Sequence, residues 1–316
     1  MSIKVSVIIP NYNHSEFLKK RIDSVLNQTF QDFELIILDD KSPDNSIEII
    51  EQYRNHPKVS HIVYNEINSG TTFKQWEKGI NLAKNDYIWI AESDDWCEPS
   101  LLQTLVDGIA ANENIVLAYV QSYYMVGDNK IAWATKENFL ESTMKGDEYV
   151  KQKLAYFCTI INASMAVFKK STFANVNQKY TTFKMCGDWL FWSGVASQGN
   201  VFISGKTLNY FRNHDKDVSS KVFKSGLNHI EDVKVVTQLF DDNLITNLEY
   251  EKSIKRIYVN FKNVAHQYPA ETKTKINDFI LGLERVKPFK NEVLKNYYFI
   301  AFKKRIRSFL KAIHLS

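Results

Sequence analysis

The stretch YIWIAESDDW, Tyr87–Trp96, decides the fold, because an apolar run of strand length ends abruptly in acidic residues. Aromatic and β-branched residues in Tyr87–Ala91 are typical of a buried strand. Glu92, Asp94 and Asp95 follow it directly. In open α/β sheets, ligands bind outside the carboxyl ends of the strands, where neighbouring carboxylates suit a hard divalent cation and the phosphates that it bridges. The alternative is that these aspartates only cap the following helix.

Strands and helices alternate along the chain. Before the acidic run we predict strands at Lys4–Pro10, Phe33–Leu38 and Ser60–Tyr64, and helices at Glu16–Leu26, Ile47–Tyr53 and Phe73–Ala83. After it we predict strands at Val116–Tyr124 and Asn162–Phe168, and helices at Leu101–Ala111 and Gly146–Phe157. This alternation indicates a doubly wound α/β sheet with right-handed crossovers, so the loops that follow the strands should gather at one edge.

Composition and length are those of an ordinary globular protein. The chain has 316 residues, 44% of them hydrophobic and 24% charged, which favours one large domain with an appendage. The run Val5–Ile9 is too short for a signal peptide, and no apolar run approaches the roughly 18 residues that span a bilayer. We therefore expect a cytoplasmic chain that starts at Met1. Three cysteines without CxxC spacing argue against a disulfide framework or a structural zinc site.

Three predicted strands end in residues suited to a nucleotide. Tyr12 can offer an aromatic face to a base, Asp40 can accept hydrogen bonds from an imide or a ribose, and Asp94 and Asp95 can take the ribose and a metal. Each has a structural alternative: Tyr12 as a turn aromatic and Asp40 as a helix cap. Neither GxGxxG nor GxxxxGK[ST] occurs, which excludes the dinucleotide-binding and P-loop fingerprints.

The run VSVIIPNYNHSEFLKKRIDSVLNQTFQDFELIILDDKSPDNS, followed by NSG at Asn68–Gly70 and by ESDDW, resembles the family 2 glycosyltransferases. The resemblance implies a GT-A (nucleotide-diphospho-sugar transferase) fold, with a Rossmann-like mixed sheet flanked by helices and a helical C-terminal extension. It also implies transfer of one sugar, with inversion, from a nucleotide-sugar to an acceptor hydroxyl. On this basis we expect a catalytic domain over 1–222, with a nucleotide-sugar half (1–97) and an acceptor half (98–222), and a helical region over 223–316.

The resemblance also assigns roles to single residues. Those expected to bind the nucleotide-sugar are Pro10, Tyr12, Asp40, Asp94 and Arg212, and Lys74 is expected to bind it in place of a family motif that is absent here. Asp95 and His214 are the expected ligands of Mn²⁺ or Mg²⁺, and a solvated loop histidine is the alternative for His214. The catalytic base is Asp188, in MCGDWLFW, for which a helix N-cap is the alternative. Arg212 and His214 lie in YFRNHDKDVSS, which is similar to a family loop that folds over the diphosphate.

The chain departs from the family pattern in two places. Glu92 stands where the motif usually begins with aspartate, and GTTFKQWEKGI lacks the usual Arg-Asn pair, so Lys74 is expected to contact the diphosphate instead. A QxxRW motif, typical of processive synthases, is absent. Its absence favours the addition of one sugar per encounter over polymerisation. Family precedent favours a hexosyl- or N-acetylhexosaminyltransferase that uses a UDP- or dTDP-sugar and a glycan or lipid-linked acceptor in cell-surface polysaccharide biosynthesis.

Two other classes remain open. A sugar nucleotidyltransferase would need a glycine-rich loop after the first strand, where PNYNHSE has no glycine. A non-catalytic nucleotide-sugar-binding protein of the same fold would tolerate both departures.

Positive charge is concentrated at the C-terminus. From Lys287 onward the chain carries eight Lys or Arg residues and the single acid Glu292, and apolar residues recur at helical spacing. This pattern indicates a basic amphipathic helix rather than a nucleic-acid-binding face. It predicts peripheral contact with an anionic membrane at the inner face of the cell, or alternatively packing on the domain.

Overall fold

The computed structural model describes residues 3–214 and 218–314 and has the predicted mixed α/β architecture. The chain divides into two compact units. The sheet unit comprises Met1–Val150 and Cys158–Asp217, and the helical unit comprises Lys151–Phe157 and Val218–Ser316. The helical unit thus begins five residues before the expected position 223 and includes an internal segment, 151–157, that sequence analysis gave to the catalytic domain.

The strands all belong to the sheet unit. They are β1 (Val5–Asn11), β2 (Phe33–Asp39), β3 (Val59–Tyr64), β4 (Tyr87–Ile90), β5 (Trp96–Cys97), β6 (Ile115–Val126), β7 (Lys130–Ala134), β8 (Glu141–Lys145), β9 (Ala166–Lys169) and β10 (Asn200–Asn213). They form one sheet in the order β3-β2-β1-β4-β9-β6-β10-β5, with β7 paired to β6 and β8 paired to β10.

The helices agree closely with prediction in the first hundred residues and differ more after them. Those of the sheet unit are α1 (Ser15–Leu26), α2 (Ser46–Glu51), α3 (Thr72–Leu82), α4 (Leu101–Ala110), α5 (Gly146–Tyr149) and α6 (Gly187–Ala196). Those of the helical unit are α7 (Val218–Ser225), α8 (Leu227–Asp241), α9 (Asn247–Val264), α10 (Ala270–Gly282) and α11 (Lys290–His314).

Strand directions bring the loops that follow several strands to one edge of the sheet. β1 is parallel to β2 and β4, while β9 is antiparallel to both β4 and β6. β6 therefore runs in the same direction as β4, and β10 is parallel to β6. The segments that follow β1, β2, β4, β6 and β10 consequently meet at the same edge, as the alternation of strands and helices predicted for the first three.

The second half of the sheet differs from the sequence prediction. β10, with 14 residues, was not predicted, because its polar residues and the irregular pairing between Ile203 and Asn209 obscure any simple alternation. The strand predicted at Asn162–Phe168 begins only at Ala166 and is preceded by a 3-10 turn, Ala163–Met165. The helix predicted at Gly146–Phe157 is a short α-helix followed by a π-helical turn, Val150–Leu154.

The helical unit packs helices around its internal segment. The Ser253 hydroxyl on α9 donates to the Ala155 carbonyl (2.6 Å), and the Arg256 guanidinium lies 4.9 Å from the centre of the Phe157 ring. A capping box formed by Thr246 and Glu249 begins α9. Among the described residues, no helix combines the length and apolarity that crossing a membrane requires.

Candidate active site

Asp94 lies between two histidines at the edge where the parallel strands end. Its Oδ2 is 3.0 Å from His214 Nε2 and 4.0 Å from His14 Nε2, and one ligand atom from each of the three residues lies within 4.8 Å of the others. His14 Nδ1 in turn is 2.8 Å from the Ser93 hydroxyl. Although burial opposes ionisation, the hydrogen bond from His214 and the nearby imidazoles hold the pKa of Asp94 below its usual value.

Asp95 has a different environment and is fully buried. Its Oδ2 accepts a hydrogen bond from the Ser164 hydroxyl (2.7 Å), and its Oδ1 accepts one from the Arg212 backbone amide (3.1 Å). Burial, and then the charge of Asp94, raise the pKa of Asp95. This geometry departs from the expected roles, since Asp94 rather than Asp95 faces the histidines, while Asp95 joins neighbouring segments of the sheet.

Glu92 points to a third environment. Its carboxylate accepts a hydrogen bond from the Trp76 indole (2.8 Å), and its backbone amide donates to the Ser164 hydroxyl (2.9 Å). Burial, and then the charge of Asp94, raise the pKa of Glu92 to about 8. Of the three acidic side chains, Asp94 is therefore the one whose surroundings favour the negative charge.

The structure does not support the capping alternatives for these carboxylates. Ser100 precedes α4 and Asn45 precedes α2, so neither Asp94 nor Asp95 nor Asp40 occupies the N-cap position of the following helix.

Asp40 organises the loop before α3. The buried carboxylate accepts hydrogen bonds from the Asn65 amide (2.6 Å), the Ser69 amide (2.9 Å) and hydroxyl (2.8 Å), and the Gln75 amide (2.9 Å). These protein donors surround the carboxylate that sequence analysis assigned to the nucleobase. Gly70 completes this loop with a φ of 83°, a conformation that favours glycine.

Tyr12 and Lys74 lie next to this loop. The Asp40 amide donates to the Asn11 carbonyl (2.8 Å), which joins the loops that follow β1 and β2 and places Tyr12 beside Asp40. The Tyr12 side chain is 48% exposed, while Pro10 is buried within β1. The exposed Lys74 donates to the Ser69 carbonyl (3.1 Å). The structure thus brings the residues expected at the nucleobase and Lys74 into one group of loops.

Arg212 is almost fully buried between two aromatic rings. Its guanidinium carbon lies 4.1 Å from the centre of the Phe17 ring and 4.7 Å from that of the Trp96 ring. Its Nη2 is 3.0 Å from Asp128 Oδ1, an ion pair without the alignment of a hydrogen bond. Burial lowers the pKa of Arg212 from its ordinary value. The expected phosphate contact would therefore require the guanidinium to leave these rings or Asp128 to move.

Asp188 is the second residue of α6, not its N-cap, which is Cys186. The half-buried carboxylate accepts a hydrogen bond from the Trp189 amide (2.7 Å). Gly187 allows the helix to begin here, because a Cβ at this position would lie 2.2 Å from the Tyr180 carbonyl oxygen. The carboxylate therefore lies in the first turn of a helix.

An aromatic chain connects α6 with the acidic run. The Phe191 ring of α6 contacts the Trp76 ring of α3 (5.4 Å between centres), and the Trp76 indole donates to Glu92. Trp192 also lies against Trp76, with 6.1 Å between ring centres. The helix that carries Asp188 is thus packed against the helix that holds the start of the acidic run.

Sequence analysis missed three residues of the site. His14 could have been predicted from its position, because it follows the first predicted strand and should therefore lie at the same edge of the sheet as Asp94. Ser164 lay in a predicted strand, where its hydroxyl had no visible partner. Asp128 lay in a loop of unknown position, and its ion pair with Arg212 depends on the unpredicted β10.

Comparisons with known proteins agree with this architecture. Residues 6–176 match the family model described as Glycosyl transferase family 2. The glycosyltransferase GlyG of Streptococcus pneumoniae is 27% identical over 67% of this chain and 65% of its own length. The poly(ribitol-phosphate) beta-N-acetylglucosaminyltransferase TarP of Staphylococcus aureus is 29% identical over 60% of this chain and 56% of its own length. The chain thus spans less than two thirds of the length of these relatives.

A solved structure matches most of the chain. Residues 1–349 of S. aureus TarS, in complex with UDP-GlcNAc, superpose with a TM-score of 0.68 at 17% identity, covering 96% of this chain and 92% of that one. This likeness establishes the GT-A-type fold. Because the family model covers more than half of the sequence, the chain belongs to glycosyl transferase family 2.

Proposed function

We propose that this protein is an inverting glycosyltransferase that moves one sugar from a nucleotide-sugar to a hydroxyl of a glycan or lipid-linked acceptor in cell-surface polysaccharide biosynthesis. The observation that carries the proposal is the meeting of Asp94 with His14 and His214, beside the loops of Tyr12 and Asp40. A UDP-sugar is the favoured donor, with dTDP-sugars second, since TarS has been solved with UDP-GlcNAc. The sugar is a hexose or an N-acetylhexosamine.

The side chains of the Asp94 cluster fit a divalent cation. One carboxylate and two imidazoles supply three ligand atoms and leave positions for diphosphate oxygens. Imidazole ligands suit transition metals better than Mg²⁺, so Mn²⁺ is the preferred ion and Mg²⁺ the weaker alternative. Such an ion would supply positive charge to the leaving nucleoside diphosphate. Asp94 is therefore our proposed carboxylate ligand, in place of Asp95.

Asp188 is the proposed general base. Its carboxylate can accept the proton of an acceptor hydroxyl as that oxygen attacks the anomeric carbon. The proton moves to the carboxylate, the new glycosidic bond forms, and the bond to the diphosphate oxygen breaks. This requires no covalent glycosyl-enzyme.

Paired variants test the metal assignment. Titration calorimetry would measure UDP binding with and without Mn²⁺ for the wild type, Asp94→Asn and Asp95→Asn. We expect Asp94→Asn to abolish the Mn²⁺-dependent gain in affinity and Asp95→Asn to retain it. If only Asp95→Asn lost the Mn²⁺-dependent gain in UDP affinity, the assignment of Asp94 as the metal ligand in place of Asp95 would be wrong. Absence of any UDP binding or UDP-sugar hydrolysis by the wild-type protein would refute the proposed function itself.

We further propose that the enzyme works at the cytoplasmic face of an anionic membrane through α11. One stripe of this helix packs within the helical unit: Val293 is fully buried, Tyr297 contacts the Tyr258 ring (6.0 Å between centres), and Lys304 donates to Asn263 (3.0 Å). The packing alternative raised by the sequence therefore accounts for one face of α11.

The opposite face of α11 is apolar and exposed. Tyr298, Phe299, Phe302 and Ile306 share it, and their exposed fractions are 65%, 56%, 62% and 42%. The exposed basic residues nearby are Lys295, Lys303, Arg305 and Arg307. An aromatic stripe bordered by basic side chains fits the interface of an anionic bilayer, to which each cation near the surface contributes about 1 kcal/mol.

Vesicle sedimentation tests the membrane contact. The double variant Phe299→Ser with Phe302→Ser should sediment at least about tenfold less with phosphatidylglycerol-containing vesicles than the wild type. Leu248→Ser, which alters an equally exposed apolar residue on α9, is the control and should sediment normally. Equal sedimentation of both variants, or concentration-dependent dimerisation through this face, would overturn the proposal.

A further inference from the structure

The hairpin formed by β6 and β7 has a position fixed by strand pairing. β10 pairs along the whole of β6, so it occupies one edge of that strand. β9 pairs with β6 at Leu117–Tyr119 on the other edge, and β7 pairs with β6 at Tyr123–Val126. Since a strand has two edges, β7 must continue on the side of β9, toward β4. It therefore lies in line with β9, next to β4, and beyond the level at which β4 ends and the acidic run begins.

Side-chain contacts tie both ends of this hairpin to the site. At its turn, Asp128 pairs with Arg212 (3.0 Å) and with Lys20 (3.2 Å). Further along, the side-chain amide of Asn213 donates to the Tyr124 hydroxyl. Asn213 directly precedes His214, which contacts Asp94. The hairpin is thus held in place beside the proposed metal site.

Trp133 presents an aromatic surface on this hairpin. Its ring stacks on Tyr124, with 5.0 Å between ring centres and 13° between planes, and Tyr124 is itself held by an edge contact with Phe211 (5.3 Å). One face of the indole is therefore backed by a fixed ring, while 46% of the side chain is exposed to solvent. We propose that Trp133 is an acceptor-binding residue on which a pyranose ring of the acceptor saccharide stacks.

The order of the strands favours the acceptor over the donor as the occupant. The loops that gather Tyr12 and Asp40 follow β1 and β2, on one side of β4, and Asp94 follows β4 itself. A nucleotide-sugar bound between those loops and the metal ligands leaves the opposite side, toward β6 and β7, for the acceptor. This step rests on the proposed function.

The chemistry of the surface favours a sugar ring. The apolar C–H face of a pyranose needs a flat, rigid apolar surface, which the stacked pair supplies, while its hydroxyls need polar groups at the rim. Asn129, Lys130 and Lys136 are exposed polar residues within four positions of Trp133 in the sequence. An acyclic polyol phosphate would instead depend on charge and would gain little from the indole.

Saturation-transfer NMR without donor tests the inference independently of catalysis. The probes are cellobiose and N,N′-diacetylchitobiose, with ribitol 5-phosphate as the acyclic comparison. We expect Trp133→Ala to weaken disaccharide binding at least about tenfold and Trp133→Phe to retain most of it. Phe139→Ala, which alters another exposed aromatic residue of the same connection, should bind as the wild type does. UDP affinity should be unchanged in all three variants.

Two results would overturn the inference. One is disaccharide binding that Trp133→Ala leaves intact, and the other is a wild-type protein that binds neither disaccharide. Preferential binding of ribitol 5-phosphate would also count against a pyranose platform. Failure of the wild type to bind UDP or hydrolyse a UDP-sugar would refute the proposed function without affecting the measured role of Trp133.

Discussion

Replacing Ser164 with alanine tests how the acidic run is held in place. The buried hydroxyl donates to Asp95 Oδ2 (2.7 Å) and accepts from the Glu92 amide (2.9 Å). Alanine would leave a carboxylate oxygen and an N–H group without these partners, at about 1–3 kcal/mol each. We expect the free energy of unfolding of the sheet unit to fall by about 2–6 kcal/mol. Mn²⁺-dependent UDP binding should weaken as well, since Asp94 lies between the two residues that lose their support.

Urea unfolding followed by tryptophan fluorescence measures this effect. All six tryptophans lie in the sheet unit, so the signal reports on that unit alone. Ser193→Ala is the matched control, because Ser193 is also fully buried but its hydroxyl donates to the Trp189 carbonyl within the same helix. That variant should lose about 1 kcal/mol or less. Equal losses in the two variants would refute the reasoning.

Three further changes have defined outcomes. Gly187→Ala should destabilise the sheet unit by about 1–3 kcal/mol and reduce transfer, because its Cβ would lie 2.2 Å from the Tyr180 carbonyl oxygen; unchanged urea unfolding would contradict this. Asp188→Asn should bind UDP normally yet transfer sugar at least about 10²-fold more slowly, so near-normal turnover would remove it as the base. Burial lowers the pKa of His229 to about 4 in the folded protein, whereas an unfolded histidine has a pKa near 6.5. Between these two values the unfolded state binds more protons than the folded state. The free energy of unfolding of the helical unit should therefore fall by about 1–3 kcal/mol as the pH falls from 6.5 to 4. Circular dichroism should show that His229→Leu removes this slope, and a persisting slope would assign it elsewhere.

The first half of the fold follows from local patterns. Each strand from β1 to β4 is a short apolar run that ends in polar turn residues, and each connecting helix repeats apolar residues at helical spacing, so both signals agree. The second half depends on pairings between distant segments. β10 combines irregular pairing with polar residues that are buried only because β6 and β5 flank them. The local sequence of β10 therefore does not predict which strands lie beside it.

Predictions for the site show the same division. That carboxylates would collect at the strand ends followed from the position of the acidic run alone. The direction in which each carboxylate points could not be predicted, because it is set by hydrogen-bond partners that are distant in sequence. Asp94 faces His214, 120 residues away, while Ser164, 69 residues from Asp95, turns that neighbour inward. Adjacent aspartates with almost identical local sequence therefore acquire different environments.

The excursion of residues 151–157 into the helical unit has a consequence for biosynthesis and for evolution. On the ribosome this segment emerges well before its partners, since Ala155 precedes Ser253 by 98 residues. The helical unit can therefore close only after the intervening chain has been made. A gene fragment that encodes residues 218–316 alone lacks Ala155, whose carbonyl accepts the Ser253 hydrogen bond, and Phe157, whose ring contacts the Arg256 guanidinium. The helices thus cannot be exchanged between genes as a terminal cassette unless the recipient catalytic sequence already carries the matching internal segment.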